Sequence, residues 1–152
     1  MIQSFATRRV LPLLKECGLT ADEIVGQRGV QEVVYLLEQT GCELGYRFKW
    51  ELCGPFSREL AEEFADLDRE TVEAASTAHA NVAAKLAPLF EPPEGLHLAI
   101  PDWLRLVVSV DFVERREPGI TENGETPPFI ALNYETNEVA AARERTLETL
   151  MS

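Results

Sequence analysis

Tyr46, Phe48, Trp50 and Leu52 alternate with Arg47, Lys49, Glu51 and Cys53, and Gly54-Pro55 follows directly. Alternation with a period of two sends successive side chains to opposite faces of an extended strand, and bulky aromatics suit that pleated surface. The pattern predicts a half-buried strand with Tyr46, Phe48 and Trp50 turned to the core and Arg47 and Lys49 facing out. Gly54 permits a sharp turn, Pro55 fixes φ and breaks the strand, and Phe56 packs. The Ser57 hydroxyl then sits where it can accept a free N–H at the start of the next helix. Nothing else in the chain reads as strand so clearly.

The remaining periodicities are helical. Residues 2–16 carry Ile2, Phe5, Val10, Leu13 and Leu14 loosely on one side, and Pro12 predicts a kink or a start near Leu11. Residues 19–22 read as a loop leading to a short turn. Val30, Val33, Val34 and Leu37 recur at i, i+3, i+4 and i+7, with Gln31, Glu32, Glu38 and Gln39 on the other face, and Gly41 as a stop. Leu60, Phe64 and Leu67 give the helix after Ser57 an apolar stripe. Val72, Ala75, His79, Val82, Leu86 and Leu89 form a narrow seam that predicts one helix over 69–89. Residues 102–117 alternate as a strand would, yet their length, the leading Pro101 and the charged end favour a buried helix. Loops are expected at 91–95 and 118–128, and a last amphipathic helix runs from Tyr134 or Thr136 to Leu150. The fold expected is mainly α: five to six helices with a short strand or hairpin, winged-helix-like, near residues 44–53.

At 152 residues the chain is long enough to bury one core, and a single domain over 1–152 is expected. No apolar run is long enough to span a bilayer, and the N-terminus lacks a signal-peptide pattern, so a cytoplasmic setting is expected. The net charge of −12 is unevenly spread. Residues 1–58 hold seven basic and seven acidic side chains, whereas 59–152 hold seven basic and nineteen acidic, so the second stretch carries the whole excess. Such a field repels polyphosphates and favours basic partners.

Motifs for chemistry are sparse. Cys17, Cys42 and Cys53 are an odd number, and with His79 and His97 isolated they lack the paired short spacings of a zinc site. No metal or cofactor is expected. A Cys–His pair assembled in space would define an enzyme, the third-ranked reading. The carboxylates from Glu62 to Glu73 fall on a helix and the turn after it, a place for solvated charge. No phosphate loop, dinucleotide fingerprint or hydrolase elbow occurs. Arg47, Lys49 and Arg58 could contact phosphates from a wing, although the acidic balance opposes this.

Two segments carry a family resemblance. Residues 33–64 contain Gly45, Tyr46, Phe48, Trp50, Gly54, Pro55, Ser57 and Leu60 in the pattern G-Y-x-F-x-W-x-x-x-G-P-Y-S-x-x-L, with Phe56 where that pattern has tyrosine. Residues 102–117 are similar to a second motif, W-L-x-L-L-A-S-x-x-F-L. On these the chain resembles the YwgA-type family of small prokaryotic proteins and, more distantly, the Panacea domain of antitoxins. The resemblance implies an α-rich fold with a small β element, no assigned catalysis, and partner binding of the antitoxin kind. The function expected is a non-catalytic regulatory or accessory protein that binds a partner protein. The alternative is a winged-helix DNA-binding regulator using Arg47, Lys49 and Arg58. The seam over Val72–Leu89 is also compatible with a homodimer.

Overall fold

A computed structural model describes residues 5–52, 54–75, 82–122 and 125–150. Among these the chain is mainly helical: α1 (Phe5–Glu16), α2 (Ala21–Val25), α3 (Val30–Gln39), α4 (Arg58–Ala65), α5 (Arg69–Ala74), α6 (Val82–Leu86), α7 (Ile100–Arg116), α8 (Pro128–Asn133) and α9 (Thr136–Leu150). A 3-10 turn covers Ala87–Leu89, and β1 (Lys49–Glu51) pairs with β2 (Gly54–Phe56) as a two-stranded hairpin. Its two-residue connection makes the pairing antiparallel. The helices outnumber the expected five or six, because α2, α5, α6 and α8 are of only five or six residues each.

The chain forms two compact units. One comprises Met1–Phe48 with Phe56–Leu86, the other Lys49–Pro55 with Ala87–Ser152. In the first unit α3 packs against α1 and α6, and α2 against α4 and α5. Val33, Val34, Leu36 and Leu37 of α3 are buried with Val10, Leu11 and Leu14 of α1. Helix α1 runs through Pro12 without a break, so the start expected near Leu11 is not where it begins. A proline in a helix costs one N–H bond and crowds one turn, which the buried apolar face of α1 offsets here.

The helix expected over 69–89 is interrupted. Ala75 adopts φ −69° and ψ 132°, so α5 ends at Ala74. The Lys15 ammonium donates to the carbonyls of Val72, Glu73 and Ala75. A cation from α1 thus satisfies acceptors that a continuing helix would have used. His79 lies outside the described residues.

In the second unit α7 packs along α9, and the 3-10 turn also packs on α9. Trp103 is fully buried and its indole N–H donates to the Leu89 carbonyl at 3.0 Å. The segment left between strand and helix is helix α7, buried from Leu106 to Val113. Its burial explains the misleading alternation, since a helix covered on most sides has no polar face to set a 3.6-residue period.

The hairpin departs from the expected strand in two ways. Regular pairing begins at Lys49 rather than Tyr46, and Gly54-Pro55 opens β2 instead of ending the β structure. Leu52, expected on the buried face, lies in the turn and is 92% exposed. Trp50 packs against Phe112 of α7 and Phe129 of α8, with ring centroids at 5.9 and 6.2 Å. Gly54 has φ +106°, and a Cβ there would fall 2.6 Å from the Ser109 Oγ of α7. Backbone conformation and close approach both require glycine.

Gly54→Ala is therefore expected to cost about 3 kcal/mol of unfolding free energy in urea denaturation. Ser109→Ala alone should stay within about 1 kcal/mol of wild type, because the buried Ser109 hydroxyl has no hydrogen-bond partner among the described residues. Placed together, the two should be less damaging than Gly54→Ala by itself, since only the backbone strain remains.

Candidate functional site

The stretch that the sequence singles out is held at both ends by one helix. On α3, Glu38 Oε1 accepts the Tyr46 N–H at 2.9 Å. Seven residues earlier on the same helix face, the Gln31 amide makes a reciprocal pair with Ser57: Ser57 N–H donates to Gln31 Oε1 and Gln31 Nε2 donates to the Ser57 carbonyl, both at 2.9 Å. The Ser57 hydroxyl accepts Leu60 N–H and caps α4, as its position predicts. Tyr46 is buried and its hydroxyl donates to Glu63. Phe48 meets Tyr35 edge to face with centroids 5.3 Å apart. Gln31 and Glu38 read in the sequence as a solvent face; their task is to satisfy the backbone of another segment, and periodicity alone carries no signal of it.

Burial pushes the Glu38 carboxyl above its ordinary value, against the N–H groups of Tyr46 and Gly45, while the nearby Glu59 charge adds to the rise. A carboxylate raised in the folded state is stabilising when protonated, and that contribution is lost as pH rises through the folded value. Glu38→Gln keeps the acceptor and removes the charge. It should raise the melting temperature at pH 7, with the gain shrinking as pH falls into the carboxylate range.

The three expected contact residues are all exposed. Arg47 and Arg58 belong to the first unit and Lys49 to the second, so the structure describes them separately. Arg58 occupies the first position of α4. The hairpin tip presents Leu52, an apolar side chain, where a phosphate-binding wing presents cations.

Acidic side chains dominate other exposed positions. Glu59, Glu62, Asp66, Asp68, Glu70 and Glu73 are exposed along α4, α5 and the turn between them. Arg69 is the one basic residue from 59 to 73, and it pairs with Asp22 and Glu73. In the second unit a cleft of about 510 Å³ lies beside α8 and α9, lined by Ala131, Tyr134, Val139 and Ala140 with Glu122 and Arg143. Arg143 meets Glu122 at 3.4 Å. Glu114 of α7 fixes the turn next to this cleft, accepting the N–H groups of Gly119 and Thr121 and the Thr121 hydroxyl. Burial opposes ionisation of Glu114, but those donors and Arg143 hold its carboxyl below the ordinary value.

Among the candidates for nucleophilic chemistry, Cys17 and Cys42 are half-buried in the first unit and His97 is exposed in the second, while Cys53 lies outside the described residues. Burial, with Glu16 and Cys42 nearby, pushes the Cys17 thiol up to about 11. Among the described residues no group of His, Cys, Asp and Glu is placed to hold a metal ion. No family model, curated protein or solved structure matches the chain.

With Cys42 and Cys53 replaced by serine, Cys17 is expected to react with a thiol reagent at pH 7 roughly a hundredfold more slowly than an ordinary cysteine, with a rate still climbing near pH 10. Fast labelling at neutral pH would restore it as a nucleophile.

Proposed function

We propose that this protein is a non-catalytic regulatory or accessory protein, antitoxin-like in manner, that binds a partner protein with a basic surface. One observation carries the reading: the exposed carboxylates of the first unit, from Glu59 to Glu73, run along two helices with Arg69 as the one basic residue among them and Arg58 at the head of α4. A field of one sign steers a partner of the opposite sign and discourages polyanions. The motif resemblance of residues 33–64 and 102–117 to the YwgA-type proteins, and more distantly to Panacea antitoxins, supports the same class. Among the described residues no helix is long and apolar enough to cross a membrane, and a cytoplasmic setting belongs to this proposal.

The rival reading is a DNA-binding regulator, favoured by the exposure of Arg47, Lys49 and Arg58. Phosphate contacts by these residues would give a complex that weakens steeply with salt. The acidic helices α4 and α5 and the apolar hairpin tip argue against it.

Affinity capture on the purified protein from extract of its native host, at low salt, is expected to retain a basic protein. That protein should elute as salt is raised and be retained less by the variant with Glu59, Glu62, Asp66 and Glu70 changed to their amides. Recovery of no protein partner removes the reading. A mobility shift with genomic fragments that Arg47→Ala and Arg58→Ala abolish would replace it with the DNA-binding one.

A further inference from the structure

The short helix α8 combines three properties. Leu132 is 84% exposed on it, while Ile130 is buried and Phe129 packs on Trp50, so the helix is anchored from one side and bare on the other. The next residue back, Ala131, is also exposed and lines the cleft of about 510 Å³, together with Val139 and Ala140 of α9, three threonines and the Glu122–Arg143 pair. That volume suits a few side chains of a docked segment. Finally, from Glu117 to Ala142 the sequence holds five acidic residues and no lysine or arginine. Glu122, Glu125 and Glu135 from this stretch are exposed.

An exposed leucine is common on protein surfaces and by itself means little. An exposed leucine beside a cleft partly lined by alanine and valine, with the exposed carboxylates of Glu125 and Glu135 in the same stretch, specifies a complement. We propose that α8 and the adjoining cleft dock an amphipathic segment of a partner protein whose apolar side chains alternate with lysine or arginine. Its apolar side chains cover Leu132 and enter the cleft against Ala131, Val139 and Ala140. Its cations face Glu125 and Glu135, since Glu122 already meets Arg143. This is the groove mode of recognition, in which apolar burial supplies affinity and the charged rim supplies selection. A second copy of this chain is a poor occupant, because it would set Glu125 and Glu135 against the same two carboxylates. The inference rests on the partner-binding reading and adds a surface of the second unit to the carboxylates of the first.

The test uses the full-length protein and a fluorescent synthetic peptide with leucines at helical spacing and lysines at the remaining positions, followed by anisotropy. A control peptide carries glutamate in place of lysine. Wild type should bind the lysine peptide, more weakly as salt rises, and not the glutamate peptide. Leu132→Asn, which changes no charge, and Ala131→Trp, which fills the cleft from an exposed position, should each weaken binding roughly tenfold or more. Unchanged circular dichroism would confirm that both variants are folded. Amides at Glu59, Glu62, Asp66 and Glu70 should leave the affinity within about threefold. The proposal is overturned if the lysine peptide does not bind, or if it binds Leu132→Asn and Ala131→Trp as well as wild type. It is equally overturned if sedimentation shows a wild-type dimer that Leu132→Asn dissolves. Binding lost only in the variant of the first unit would sink this surface while leaving a basic partner in place. Failure of the partner-binding reading itself shows instead in the capture from native extract.

Discussion

The course of the segment from Tyr46 to Ser57 depends on α3 and on two of its polar side chains. A helix interior satisfies its own backbone, so a polar residue on its flank is free to serve another segment. Gln31 closes on both backbone groups of Ser57, and Glu38 takes the N–H of Tyr46. The entry and exit of the Tyr46–Ser57 segment are thereby fixed, and a hairpin of three-residue strands has a defined start and finish. So small a β element is not stable alone. It exists because its ends are held and because Trp50 and Gly54 have aromatic and helical surfaces to meet.

The charge pattern follows the same division between what is held and what is offered. Acidic groups that accept hydrogen bonds from backbone, such as Glu38 and Glu114, or from the Tyr46 hydroxyl, such as Glu63, are partly buried and have structural work to do. Those that remain on the outer faces of α4 and α5 and around α8 are exposed in water. Exposed ion pairs such as Arg69 with Asp22 add little stability. The excess negative charge therefore matters chiefly to encounters with other molecules.

Much of the fold was legible from residue order. Val30 to Leu37 marked α3, Ser57 marked the start of α4, and Pro101 with a long apolar run marked α7. Each rests on a local rule: periodicity, a cap, or a proline at a first turn. The readings that changed depended on distant partners. Leu52 fitted the alternation, but β1 ends at Glu51 and Gly54 lies close against Ser109, and the leucine ended outside. Ala75 sat in an unbroken helical seam, yet Lys15, sixty residues away, takes its carbonyl. The short helix α2 did carry a local signal, the Thr20–Glu23 capping box, in a stretch that otherwise read as loop. Arg47 and Lys49, expected to face out from the strand, are exposed, as is Arg58. The cleft beside α8 was invisible, because a short helix inside a Pro- and Gly-rich stretch leaves no periodic trace.

The hairpin residues Lys49–Pro55 belong to the second unit, although the sequence on either side of them belongs to the first. Neither unit is one continuous length of chain. A single cut cannot separate them, because any piece that keeps all of the first unit also carries Trp50 away from Phe112 and Phe129. The two units are interleaved in the gene rather than placed end to end, so recombination cannot exchange one of them as a cassette. Substitutions in either must stay compatible with a segment threaded through both.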